Sequence, residues 1–108
     1  MEKIIERNIL FDFYGELLTE HQKSIYEDAV YSDLSLSELS EEYGITRQGV
    51  HDLLKRCDKI LMGYENKLHL IEKFDKVKNL TAKIKQLTDN NDSLTDIREL
   101  SDEILGSL

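Results

Sequence analysis

The chain has 108 residues, one domain's worth, with 40% apolar and 33% charged side chains and a formal net charge of −8. This balance excludes a disordered chain, and with no apolar run near the ~20 residues of a membrane span it excludes a transmembrane helix. A single cysteine, Cys57, permits no internal disulfide and fits a reducing compartment, and the absence of proline favours helix throughout.

The N-terminal stretch "MEKIIERNIL" is acidic and amphipathic, with no signal-peptide core. Ile4, Ile5, Ile9, Phe13 and Leu17 recur every three to five residues and predict a first helix over about residues 2–18. Thr19 is a good N-cap for a second helix with Ile25, Tyr26, Ala29 and Val30 on its apolar side. After the interruption "YSDLS", Ser35 and Glu38 have the spacing of a capping box, and the helix they open ends at Gly44, a residue at ease in a left-handed turn. Thr46 caps the next helix, whose apolar positions are Val50, Leu53, Leu54, Cys57, Leu61, Tyr64, Leu68 and Ile71. From Leu54 the spacing becomes a heptad stripe, with Gly63 as a point of possible bending. Phe74, Val77, Leu80, Ile84 and Leu87 continue in a different phase, which predicts a break near Glu72. "TDNND" predicts a turn, and Ser93 or Thr95 caps a last helix carrying Ile97, Leu100, Ile104 and Leu105. The expected organisation is a domain over residues 1–71 and a helical extension over residues 72–108, packed as a single unit.

Counting outward from Gly44, Leu39, Tyr43, Ile45, Val50 and Leu53 fall where the two helices of a helix-turn-helix cross, and Ser40 provides a small residue at the contact. An ordinary helical hairpin would share the apolar period; the added cap and glycine favour the motif. With Val50, Leu53, Leu54 and Cys57 buried, Gln48, His51, Asp52, Lys55 and Lys59 face outward at 100° per residue. Gln48 suits an adenine edge, and Arg47 a guanine or a phosphate. Thr46, Lys55, Arg56 and Lys59 suit phosphates, and His51 shares their side. The competing reading of these seven side chains is a solvated face. Asp52 opposes phosphate contact, and residues 44–67 hold five basic against three acidic side chains, a weak footprint for DNA. Gly49 weakens the helix, and its use would be to let another backbone come close.

Residues 18–61, "LLTEHQKSIYEDAVYSDLSLSELSEEYGITRQGVHDLLKRCDKIL", resemble region 4 of bacterial sigma factors. The leading helix, the "EYGITRQGVHDLLKR" core and the long helical extension together resemble the YlxM-like family of helix-turn-helix proteins, over essentially the whole chain. The resemblance implies an all-α, sigma-region-4-like domain and a bacterial cytoplasmic protein. It also implies a regulatory or assembly role beside the signal recognition particle, whose GTPase genes neighbour those of the family. Gene neighbourhood identifies no chemistry.

Chemical groups give no catalytic pattern. His51 and Cys57 lie on different helix faces, Cys57 is on the apolar stripe, and no Gly-rich loop or nucleophile–base spacing occurs. The expectation is therefore a DNA-binding regulator without enzyme activity, metal or cofactor, dimerising through residues 54–87, with structured RNA as a further ligand. The alternative is an interaction module that binds a signal recognition particle component, protein or RNA, through the same helix without DNA. Acidity favours the alternative, because a basic ribonucleoprotein would attract it.

Overall fold

The computed structural model describes residues 3–89 and 94–108, with side chains from residue 6 onward, and those residues form six α-helices. Helix α1 (Lys3–Tyr14) tightens into a 3₁₀ turn at Gly15–Leu17, so the helix expected to reach residue 18 stops earlier. Gly15 is required there, since a Cβ would lie 2.8 Å from the ring of Phe11. The inward face of α1 also differs from the expected one. Leu10, Tyr14 and Leu18 are buried, whereas Phe13 and Leu17 are exposed. The reason lies in the polar ends of this face. Arg7 pairs with Asp58, and the Tyr14 hydroxyl donates to Glu65, so both residues can turn inward with their polar ends satisfied. The expectations for Ile4 and Ile5 fall on side chains outside the described residues.

Helix α2 (Glu20–Val30) begins at Thr19, whose hydroxyl accepts the Gln22 N–H while the Gln22 side chain accepts the Thr19 N–H. Helix α3 (Leu36–Tyr43) begins the same way at Ser35 and Glu38 and ends at Gly44, with φ 67°. Helix α4 (Arg47–Leu68) passes through Gly63 without a break. It is the central element of its unit, Met1–Leu68, and packs against α1, α2 and α3. Ile25, Tyr26, Leu39, Val50, Cys57 and Leu61 are fully buried there, each large aliphatic worth roughly 1.5–3 kcal/mol. Leu53, expected in the crossing, is only half-buried; Leu54 is the buried one of the two.

The break expected near Glu72 falls at His69, which takes φ 55°. The second unit, His69–Leu108, consists of α5 (Leu70–Asp89) packed against α6 (Leu94–Ser107). Leu80 is its one buried side chain among the described residues, with Val77, Ile84, Leu87, Ile97, Leu100 and Ile104 half-buried and Phe74 exposed. Thr95 lies inside α6 and is not its cap; Ser93 and residues 90–92 of the expected turn lie outside the described residues. The heptad stripe is divided. Leu54, Cys57 and Leu61 are consumed by the core of the first unit, Tyr64 is half-buried, and Leu68 is exposed. Of the dimer seam expected along residues 54–87, the part from Leu54 to Leu61 is thereby corrected: that face packs within its own chain.

Candidate nucleic-acid interface

The turn of the motif is built by backbone groups. The N–H groups of Gly44 and Ile45 both donate to the Ser40 carbonyl, and the Ser40 hydroxyl donates forward to the Ile45 carbonyl at 2.5 Å. Ser40 therefore does more than save space: it ties the end of α3 to the start of the turn. Tyr43 anchors α3 to α2 by donating to Asp28, a hydrogen bond that pushes its pKa up to about 12. Thr46 Oγ1 accepts the Gly49 N–H at 2.9 Å and caps α4. Gly49 acts on that cap. A Cβ there would stand 3.1 Å from Thr46 Oγ1 and 4.0 Å from the Ile45 side chain, so the space it leaves is taken by the capping side chains and not by another backbone.

Where α4 meets α1 and α2, an ionic network positions the helix. Arg7 Nε and Nη2 donate to both oxygens of Asp58, at 3.0 and 2.7 Å for the shorter contacts, and the Tyr26 hydroxyl donates to Asp58 Oδ1 at 2.7 Å. Burial and this hydrogen bond push the Tyr26 hydroxyl far above its ordinary range. Cys57, wholly buried beside them, has its thiol raised to about 11 by desolvation and stays protonated and inert at neutral pH. No group of three or more His, Cys, Asp or Glu able to hold a metal ion is gathered among the described residues.

With Val50, Leu54, Cys57 and Leu61 locked inward, the opposite side of α4 is left to solvent. Thr46, Arg47, Gln48, Lys55, Arg56 and Lys59 are all exposed, and His51 is half-buried. Arg47, Gln48 and His51 form one lip of a shallow groove of about 390 Å³ whose other lip is Leu36 of α3. Lys59 is two turns further on and borders a different hollow of about 260 Å³ beside Glu6, Arg7, Leu10, Asp58 and Met62. The strip thus brings Arg47, Gln48 and His51 together at the helix start and spaces Lys55, Arg56 and Lys59 along it. Leu36 was not among the expected site residues; only its place opposite the start of α4 puts it there. Asp52 sits within the strip, where its Oδ1 accepts from Gln48 Nε2 at 2.9 Å and lies 3.5 Å from His51 Nδ1.

Charge is distributed unevenly. Residues 1–46 contain eleven acidic and three basic side chains, and residues 47–108 contain eleven of each. The whole net charge therefore precedes α4. No helix among the described residues is long and apolar enough to cross a membrane.

Comparison with known proteins agrees with this architecture. Residues 1–101 match the family described as "Putative helix-turn-helix protein, YlxM / p13 like". The chain is similar to the UPF0122 proteins of Bacillus thuringiensis (strain Al Hakam), Bacillus mycoides (strain KBAB4) and Bacillus anthracis (strain A0248). Each is 46% identical over 87 residues, which is 81% of this chain and 79% of the relative.

Proposed function

The chain belongs to the YlxM- and p13-like family of helix-turn-helix proteins, and from that premise we propose that it is a regulatory DNA-binding protein of the bacterial cytoplasm. The observation that carries this reading is the outward strip of α4. Arg47, Lys55, Arg56 and Lys59 stand exposed on a helix whose other side is fixed in a core, with a capped N-terminus open to approach. In this reading the start of α4 enters the major groove, where Arg47, Gln48 and His51 meet base edges. Thr46, Lys55, Arg56 and Lys59 meet phosphates. Thr46 can do so while capping, because its oxygen accepts from Gly49 and its O–H remains to donate. A titration of random-sequence duplex DNA against salt tests the reading. Four cations on phosphates give a slope of log affinity against log salt of about −3.6 per subunit, and Lys55→Ala reduces it by about 0.9. Absence of binding at micromolar protein and low salt removes the reading.

The second reading is a module that binds a signal recognition particle component, protein or structured RNA, the association that the family resemblance implies. It is favoured by the acidic excess in residues 1–46, which repels free DNA and attracts a basic partner. A pull-down from lysate with and without DNase separates the two readings: partners that persist after DNase, protein or RNA, support this one. In either case we place self-association in the α5–α6 hairpin, which among the described residues buries one side chain and leaves Leu70, Phe74, Leu94 and Leu105 exposed.

A further inference from the structure

We infer that Asp52 is a specificity-determining residue, which makes α4 select an amino-bearing base beside an adenine in duplex DNA. The inference rests on the DNA-binding reading and names what that site reads. Asp52 is the one acid on a strip of exposed cations, its side chain is 59% exposed, and no lysine or arginine among the described residues pairs with it. A carboxylate carries no donor. In the major groove only cytosine N4 and adenine N6 can donate to it, whereas guanine and thymine present acceptors that it repels. Against phosphates alone the charge is a penalty everywhere along the duplex. The penalty is relieved only where an amino group meets it, so the same residue weakens indiscriminate binding and rewards one class of base.

The bond from Gln48 sharpens this selection. Because the carboxylate can only accept, the Gln48 amide must turn its NH₂ toward Asp52, as the 2.9 Å contact shows. Its Oε1 and second N–H are then held outward, the pair needed to accept from adenine N6 and donate to adenine N7. His51, with Nδ1 3.5 Å from Asp52 Oδ1 and without a hydrogen-bond partner, stands beside the same oxygen. Gln48 and Asp52 are one helical turn apart on the same face, so they address neighbouring base pairs. The expected site therefore contains adenine and, within one or two steps, cytosine or adenine. Structured RNA does not offer this readout, because its major groove is too narrow for side chains.

Selection of full-length wild type, Asp52→Asn and Gln48→Ala from a randomised duplex library tests the inference, with titration of random duplex in parallel. Wild type should enrich adenine together with a neighbouring cytosine or adenine, preferred about 5- to 100-fold over guanine or thymine. Asp52→Asn, isosteric and exposed, should relax the exclusion of guanine and thymine, whose acceptors an amide N–H can meet, and bind random duplex several-fold more tightly. Gln48→Ala should lose the adenine preference. An unchanged exclusion of guanine and thymine in Asp52→Asn, or their enrichment beside the adenine by wild type, overturns the role of Asp52 while leaving DNA binding standing. Failure of wild type and Asp52→Asn alike to bind any duplex at micromolar protein overturns both.

Discussion

The Tyr26 hydroxyl donates to Asp58, Tyr43 to Asp28 and Tyr31 to Asp12, and each pairing holds a phenol in its neutral form. Tyr31 and Tyr43 are raised from 10 to about 12, and buried Cys57 from 9 to about 11. The sign follows from linkage: the unfolded chain releases these protons first, so stability is full below the unfolded pKa values and is lost as pH rises through the folded ones. The urea midpoint should hold to about pH 9 and fall between roughly pH 9 and 12, and Tyr26→Phe should flatten that fall. A midpoint equal at about pH 8 and pH 11 would remove these groups from the stability balance. Packing supports a second residue-scale expectation. Leu39 is fully buried and Leu53 is not, so Leu39→Ala should cost about 2–5 kcal/mol and Leu53→Ala less than about 2 kcal/mol. Denaturant melts in which Leu53→Ala costs the more would reverse their roles. Spacing from Gly44 marked both residues alike, because a count along the chain locates a face but not the depth of a side chain within it.

At the scale of elements, α3 is defined at both ends by local needs. Ser35→Ala removes the acceptor for the Glu38 N–H and should cost about 1 kcal/mol. Gly44→Ala forces a Cβ into φ 67° and should cost about 1–2 kcal/mol, although nothing crowds the position. Thermal melts showing either variant at wild-type stability would contradict the capping account. These ends were legible in the sequence because a hydroxyl three residues before a carboxylate, and a glycine at a reversal, answer backbone requirements wherever the chain goes. The strip Arg47, Gln48, Lys55, Arg56 and Lys59 was legible for a similar reason, since one buried face fixes its opposite. The inward face of α1 and the break at His69 were not. Arg7 and Tyr14 turn in because carboxylates on α4 receive their polar ends, and such a partner is invisible to periodicity. His69 adopts a left-handed conformation that glycine would signal and histidine does not; its carbonyl still accepts the Lys73 N–H and its Nδ1 lies 3.1 Å from Glu72 Oε2.

For the whole molecule, the two units place different demands on what surrounds them. The first encloses a core led by six fully buried residues of α2, α3 and α4 and exposes a helix strip suited to a polyanion. Among the described residues the second buries Leu80 alone, while Leu94 and Leu105 of α6 and Leu108 just beyond it are 81%, 70% and 82% exposed. A hairpin of that size gains independent stability mainly by association, so a second copy is the economical cover for α6. The full chain should therefore sediment as a dimer. The double change Leu94→Lys and Leu105→Lys puts cations on that face and should yield a monomer, with the near-ultraviolet signal of the tyrosines in the first unit retained. The two states should also differ toward DNA. A dimer docking both α4 strips engages about eight cations and should show a salt slope near −7, whereas the monomeric variant should fall to about −3.6. It should also prefer inverted half-sites spaced by whole helical turns, a preference the monomer loses. Wild type that sediments as a monomer at high protein concentration would end this account, leaving each strip to act singly and the exposed leucines of α6 to a different partner.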